Sequence, residues 1–138
     1  RLFDLPAVAA RAAAAEGPPI ETHGGDFLAD PLPPGADLIS LIRILHDHDD
    51  SGAAALVRAS RAALGPGGAL LIAEPMAGGA RPARMGDAYF GFYLAAMGRG
   101  RTRTPAELIE LTRESGFSRA RLLRTRTPAL LRAVVAKV

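Results

Sequence analysis

Three side chains with acid or base character follow two apolar runs that are predicted to be neighbouring strands. His46 and Asp47 come shortly after the run at 38–42, and Glu74 comes directly after the run at 69–73. Because the carboxyl ends of parallel strands meet at one edge of a sheet, we expect these side chains to lie together. A histidine with an ordinary pKa of ~6.5 is suited to remove a proton from a hydroxyl group. The spacing therefore predicts a general base, His46, oriented by Glu74 and Asp47.

The same segment permits a different interpretation as a metal site. His46 and His48 stand beside Asp49 and resemble part of the ligand set of a metal-dependent hydrolase. Such a site would need further imidazoles from later strands, and residues 51–138 contain no histidine. We therefore expect no metal and keep the hydrolase as an alternative. A second alternative is a non-catalytic remnant that keeps the fold for interaction.

Two acidic residues near the start of the chain are candidates for binding a nucleotide-like cofactor. Asp4 ends the first predicted strand, where an acid can hydrogen-bond ribose hydroxyls, but no Gly-rich turn precedes it in this sequence. Asp26 follows Gly24 and Gly25 and precedes Phe27, so it could accept an adenine amino group while the phenyl ring packs on the base. Each acid is also typical of an ordinary turn.

The apolar pattern predicts the elements that would position these residues. Strands are expected at 2–4, 20–22, 38–42, 69–73, 119–125 and 129–137. Helices are expected at 6–16, 51–64, 87–97 and 105–115, the second capped by Ser51 and the last opened by a capping box of Thr104 and Glu107. The run at 38–42 predicts a central strand buried on both faces. The order predicts an α/β fold with a mostly parallel sheet and a final antiparallel hairpin.

Three stretches carry less specific patterns. Residues 77–84 predict a loop, and the three arginines at 99–103 predict a solvated connection rather than a phosphate site. The helix bearing Phe90, Phe92, Tyr93 and Met97 is more typical of core than of a substrate-binding wall.

Composition narrows the class of protein. A chain of 138 residues suffices for one domain, and its lack of cysteine excludes a disulfide framework, a thiolate zinc site and a cysteine nucleophile. A net charge of +3 does not indicate a nucleic-acid partner. No apolar run reaches the ~20 residues needed to span a bilayer, so we expect a soluble, cytoplasmic protein.

Several motifs, taken in this order, resemble the plant-type O-methyltransferase family and its bacterial members, which use S-adenosylmethionine. They are Phe3-Asp4-Leu5-Pro6, Gly24-Gly25-Asp26-Phe27, Leu45-His46-Asp47, Pro66-Gly67-Gly68 with Ile72-Ala73-Glu74-Pro75, Arg103-Thr104 and Ser115-Gly116-Phe117. The resemblance implies a Rossmann-like methyltransferase domain, of which residues 1–138 would be the C-terminal part. It also implies methyl transfer from S-adenosylmethionine to a hydroxyl oxygen.

The resemblance assigns roles to single residues. It places Asp4 at the ribose, Asp26 and Phe27 at the adenine, and Ser40 beside the methionine part of the cofactor. It makes His46 the general base and matches Glu74 to an acid that positions this histidine. A second such acid of the family falls near Thr102, and His48 stands where tryptophan is usual.

Residues 86–101 look most like bacterial hydroxyneurosporene (demethylspheroidene) O-methyltransferases, which methylate hydroxylated acyclic carotenoids. That likeness implies an apolar substrate, contact with the membrane in which it dissolves, and a homodimer for the full-length protein. The family's N-terminal helical domain, its first strand and its Gly-rich loop have no counterpart in residues 1–138. Because that strand normally lies between the second and fourth, we expect a gap at the centre of the sheet, and poor folding or association of this chain alone.

Overall fold

The computed structural model describes residues 1–78, 81–127 and 130–138, leaving out the side chains of residues 81–87. Strands and helices alternate over most of the chain, which confirms the predicted α/β class. The strands are β1 (Leu2–Asp4), β2 (Thr22–Gly24), β3 (Ala36–Ile42), β4 (Leu64–Glu74), β5 (Arg119–Leu123) and β6 (Arg132–Lys137). The helices are α1 (Pro6–Ala13), α2 (Asp50–Ala63), α3 (Arg81–Met97) and α4 (Pro105–Glu114).

The strands form two separate sheets. In one, β1 and β2 run parallel; the other has the order β3-β4-β6-β5, in which β3 and β4 are parallel and both pairs involving β6 are antiparallel. The β5–β6 pair is the predicted C-terminal hairpin. Since no backbone pairing joins β1 to β3 among the described residues, the predicted gap at the centre of the sheet is confirmed.

Strand β3 differs from its prediction as a central strand buried on both faces. It pairs with β4 along one edge only, and Leu38 and Ile42 are 59% and 48% exposed. An apolar run of this kind is typical of a strand flanked on both sides. The prediction of burial on both faces is wrong for this chain: Leu38, Ser40 and Ile42, which alternate onto one face, are exposed, whereas Leu41 on the other face is buried.

The core lies between the larger sheet and helices α2 and α4. Leu56 and Val57 of α2, Leu70 and Ile72 of β4, and Leu108 of α4 are all buried there. Helix α4 begins with the predicted capping box, in which the Thr104 side chain and Glu107 satisfy each other's backbone amides. Helix α2 is capped differently from the prediction: Asp49, not Ser51, accepts from the Gly52 amide, at 2.8 Å. The Ser51 hydroxyl donates to the same carboxylate.

Several boundaries also differ from the prediction. Strand β2 starts two residues later, and β4 begins at Leu64, so the glycines at 65, 67 and 68 lie within it. The predicted loop at 77–84 is replaced from Arg81 onward by α3, while residues 79 and 80 lie outside the described residues. The same holds for residue 129, the predicted start of the last strand. No helix within the described ranges combines the length and apolarity that crossing a bilayer requires.

Candidate active site

The end of β3 carries His46 into the interior. After Ile42 the backbone takes a left-handed conformation at Arg43 (φ 56°), which is strained for a residue with a side chain. The Arg43 amide still donates to the Ala73 carbonyl oxygen at 2.9 Å, so the chain stays attached to β4 as it bends. One turn of 3₁₀ helix, Leu45–Asp47, follows, and its first two residues are buried. This turn, called the base turn below, holds the imidazole at the carboxyl end of β3.

Glu74, the last residue of β4, lies against the base turn. Its Oε2 accepts a hydrogen bond from the His46 backbone amide at 3.2 Å and lies 3.9 Å from His46 Nδ1. Neither His46 Nδ1 nor Glu74 Oε1 has a hydrogen-bond partner in the described part of the chain, although both are buried. Because buried polar atoms are rarely left unpaired, such atoms mark a place where function rather than stability determines the residue types. The structure thus brings together the two side chains predicted to act as base and orienting acid.

Asp47 adds a second carboxylate on the other side of the ring. Its Oδ1 lies 3.1 Å from His46 Nε2, yet this oxygen forms no hydrogen bond within the residues described. The contact is therefore electrostatic, without the alignment of a hydrogen bond. Asp47 can stabilise a positive charge on the ring but does not fix its orientation.

Burial sets the charge of both central groups. It lowers the pKa of His46, and Arg43 and Arg103 lower it further, against the opposing effect of Asp47. Burial raises the pKa of Glu74 to about 7, which outweighs the hydrogen bond from the His46 amide. Both shifts favour the uncharged form, as expected for desolvated groups. At neutral pH the imidazole is free to accept a proton.

The segment after α3 lies against the base turn, and the expectation of a solvated connection at 99–103 is wrong for Arg103, whereas Arg99 and Arg101 are exposed. Arg103 is 2% exposed and donates to carbonyl oxygens of the turn, and Arg101 pairs with Asp50 and Glu107. The prediction failed because the acceptors lie more than 50 residues away in the sequence. The Arg103-Thr104 motif was the sequence signal that could have identified this arginine.

An aromatic side chain completes the surroundings of His46. The ring centroids of His46 and Phe90 are 6.2 Å apart, and the Arg43 guanidinium lies 5.7 Å from the centroid of the same phenyl ring. Phe90 is buried, as predicted for this helix, but Phe92 is 81% exposed and Met97 is 52% exposed. The expectation that all the apolar residues of α3 are core is therefore wrong, because only one side of the helix meets the protein.

Three of the four predicted cofactor residues lie around one cavity. It has a volume of about 280 Å³, lies in the gap between β1 and β3, and is lined by Asp4, Phe27 and Ser40 among others. Asp4 supplies a half-buried carboxylate whose Oδ1 accepts the Leu5 amide at 2.7 Å. Ser40 is exposed, on the same face of β3 as Leu38 and Ile42. The cavity combines an acid, an aromatic ring and a hydroxyl group on its walls.

Asp26 lies outside this lining. Its Oδ1 accepts the Leu28 amide at 2.9 Å, which is the turn arrangement that the sequence left open. The glycine before it has a packing role, since a Cβ at Gly25 would lie 2.6 Å from the Phe3 ring. In this structure the Gly-Gly-Asp motif therefore shapes the turn after β2, with Phe27 as its contribution to the cavity.

The residues of the metal alternative are engaged elsewhere. The His48 ring packs edge-on against Phe27, with centroids 5.0 Å apart, and the Asp49 carboxylate caps α2. Within the described ranges, no three His, Asp or Glu side chains are grouped as a metal site would need. The geometry gives no support to a hydrolase that uses His46, His48 and Asp49.

Comparisons with known proteins identify the family of the chain. The O-methyltransferase domain family matches residues 1–118. Demethylspheroidene O-methyltransferases of Rhodobacter capsulatus and Cereibacter sphaeroides are 44% and 46% identical to this chain over 99% and 98% of its length. Acetylserotonin O-methyltransferase of Mus musculus is 43% identical over 92% of the chain. The chain spans 34–37% of the length of these relatives.

Solved structures show the same likeness. Human N-acetylserotonin methyltransferase in complex with S-adenosylmethionine superposes with a TM-score of 0.84 at 29% identity, covering 98% of this chain and 39% of that one. The corresponding values for LaPhzM are a TM-score of 0.82, 30% identity, and coverage of 99% and 42%. The family match covers most of the sequence and the fold match nearly all of it. The chain therefore belongs to the O-methyltransferase family.

Proposed function

We propose that the protein to which this chain belongs transfers a methyl group from S-adenosylmethionine to a hydroxyl oxygen of an apolar small molecule, with a hydroxylated acyclic carotenoid as the acceptor. The observation that carries the proposal is the buried pair of His46 and Glu74 at the ends of two parallel strands. A histidine held uncharged in this position is suited to act on a neutral hydroxyl group.

The side chains that line the cavity between β1 and β3 carry groups that match parts of the cofactor. The Asp4 carboxylate matches ribose hydroxyls, the Phe27 ring offers an apolar face to adenine, and the Ser40 hydroxyl lies on the β3 side of the cavity. S-adenosylmethionine, when bound, supplies an electrophilic methyl group. Asp26, which the family resemblance places at the adenine, lies outside the cavity lining and accepts from the Leu28 amide, so Phe27 carries the adenine contact in this proposal.

His46 accepts the hydroxyl proton in this proposal. Nδ1 lies 3.9 Å from Glu74, so the proposal assigns proton transfer from the acceptor oxygen to Nε2, which lies 3.1 Å from Asp47 Oδ1. The positive charge that forms on the ring is stabilised by the Asp47 carboxylate, 3.1 Å from Nε2, while Glu74, whose burial favours its uncharged form, lies 3.9 Å from Nδ1 and holds the base turn through the His46 amide. Proton transfer of this kind contributes about 10²–10⁴-fold to a rate. The rest of the acceleration would come from holding oxygen and methyl group in line.

Two observations support the carotenoid acceptor. The relatives at 44% and 46% identity are named for demethylspheroidene. In addition, Phe90 places an apolar ring beside His46, and the exposed ring of Tyr89 packs edge-on against it, with centroids 5.2 Å apart. A long polyene needs such an apolar path to one polar catalytic group. The proposal also includes a cytoplasmic enzyme that touches the membrane holding its substrate and acts as a homodimer.

The test compares His46→Ala with His23→Ala in the full-length protein. His23 is a matched control because it is a partly exposed histidine paired with Glu21, remote from the base turn. With labelled S-adenosylmethionine and hydroxylated acyclic carotenoids in detergent, we expect His46→Ala to lower turnover by about 10²–10⁴-fold. Calorimetry should show unchanged affinity for S-adenosylhomocysteine.

Each part of the proposal can fail separately. Full turnover by His46→Ala would remove this residue from its role as base. Transfer to N-acetylserotonin but not to any carotenoid would refute the acceptor while retaining the reaction. Absence of transfer to either acceptor, together with no binding of S-adenosylhomocysteine, would favour the non-catalytic remnant.

A further inference from the structure

Arg103 is a buried cation whose hydrogen bonds reach the backbone on both sides of His46. Its Nη1 donates to the Leu45 carbonyl oxygen at 2.8 Å, and its Nη2 donates to the His48 carbonyl oxygen at 3.0 Å. Nε and Nη2 also donate to Asp50 Oδ1, at 3.1 Å and 2.8 Å. The guanidinium is therefore paired on all three nitrogens, which a buried cation requires.

The two carbonyl contacts of Arg103 lie on either side of His46 along the backbone. The Leu45 carbonyl precedes His46 directly, and the His48 carbonyl lies two residues after it. One rigid, planar group thus holds the backbone on both sides of the histidine, while Asp50 fixes the guanidinium from the first turn of α2. No lysine could reach all three acceptors, because an ammonium group is a point donor on a flexible stem.

A glycine in the same segment packs closely against the backbone of the base turn. Gly100 has a φ of +85°, and a Cβ at this position would overlap the His46 carbonyl oxygen and crowd the Asp47 backbone. A glycine is needed there for both reasons. The segment from 98 to 104 therefore contacts the base turn through close backbone packing and through buried hydrogen bonds.

We propose that Arg103 is a positioning residue that acts through the carbonyl oxygens of Leu45 and His48 to hold His46 against Glu74. This inference rests on the proposed function, in which His46 is the base. A displacement of about 1 Å in a reacting group can lower a rate about 10²-fold. Loss of Arg103 should therefore lower turnover without removing any group that touches the substrate.

The test uses Arg103→Lys and Arg103→Gln in the full-length protein, with Arg101→Gln as the matched control. Arg101 also pairs with Asp50, but its side chain is 45% exposed and it contacts no carbonyl of the base turn. We expect both Arg103 variants to lower kcat by about 10–100-fold with little change in KM, and Arg101→Gln to leave kcat unchanged. The lysine variant keeps the charge, so it separates lost geometry from lost charge.

The titration of His46 provides a readout that a general loss of structure would not give. The groups that face this imidazole are Asp47 and His48 on its own segment, Glu74 on β4, Arg43 after β3, and Arg103. In Arg103→Gln, loss of the nearby cation and looser burial both raise the pKa of His46. The acid limb of the kcat profile, and the His46 ring signal in NMR, should move to higher pH.

The outcomes separate this inference from the proposed function. An active wild-type enzyme whose Arg103 variants keep kcat and the His46 titration would overturn the positioning role. An inactive wild-type protein would count against the proposed function alone, and the NMR titration would still decide whether Arg103 positions His46. If Arg103→Gln fails to fold, Arg103→Lys supplies the same comparison, and wild-type kcat in that variant would refute the inference.

Discussion

Replacing Glu74 by glutamine should abolish the loss of folding stability that ionisation of this buried carboxyl group causes as the pH rises. Burial raises the pKa of Glu74 from an ordinary 4.5 to about 7. A carboxyl group with a raised pKa in the folded state contributes stability that is fully present below pH 4.5 and is lost as the pH rises through about 7. At 1.36 kcal/mol per pH unit, the loss between pH 4.5 and pH 8 is about 3 kcal/mol. Glu74→Gln cannot ionise, so it should not show this loss.

The assay is urea unfolding of wild-type and Glu74→Gln full-length protein at several pH values. The glutamine oxygen can still accept the His46 amide, while its NH₂ group lacks a partner at a cost of about 1–3 kcal/mol that does not vary with pH. The free energy of unfolding of the variant minus that of wild type should rise by about 3 kcal/mol from pH 4.5 to pH 8. Repeating both measurements in a His46→Gln background removes the titration of the imidazole. A difference that stays constant with pH would show that Glu74 ionises normally, and the argument from burial would be wrong.

Two further predictions concern packing and the open strand edge. Gly25→Ala should destabilise the protein by about 1–3 kcal/mol, because the new methyl group would overlap the Phe3 ring, whereas Gly91→Ala, with open space on α3, should be neutral or stabilising in the same denaturation assay. Equal effects would refute the packing argument. The 138-residue chain alone should associate through β3, with light scattering showing a mass that rises with concentration, and Leu38→Lys should reduce this association. A monomer that melts cooperatively would contradict it.

The meeting of His46 and Glu74 was predictable because it follows from local patterns. Two apolar runs identified parallel strands, and parallel strands place the residues after their ends at one edge of the sheet. His46 and Glu74 meet there for that reason alone. The 3₁₀ geometry of the base turn was not predictable, since it depends on the left-handed residue Arg43 and on the hydrogen bond from its amide to β4.

The wrong predictions share a cause in contacts between distant parts of the chain. Nothing in the alternation of arginine with glycine and threonine at 99–103 shows which arginine is buried. The answer depends on the base turn, whose carbonyl oxygens face Arg103 from more than 50 residues away. Similarly, the composition of β3 indicates burial on both faces, but whether a face is buried depends on which distant elements cover it, and the face that carries Leu38, Ser40 and Ile42 is exposed.

His46 and Glu74 lie on one side of the gap in the sheet, whereas the residues that line the cavity lie on both sides of it. His46, Glu74 and Arg103 are held by contacts within the β3–β4 pair, α2 and the segment after α3, none of which crosses the gap. Asp4 lies on the β1 side of the cavity, whereas Ser40 lies on the β3 side. A strand that filled the gap would therefore set the distance between the proposed cofactor residues while leaving His46 and the residues that hold it nearly unchanged. It follows that the arrangement of His46 and Glu74 tests the proposed chemistry more directly than the cavity does, because it depends on the β3–β4 pair, which is already formed.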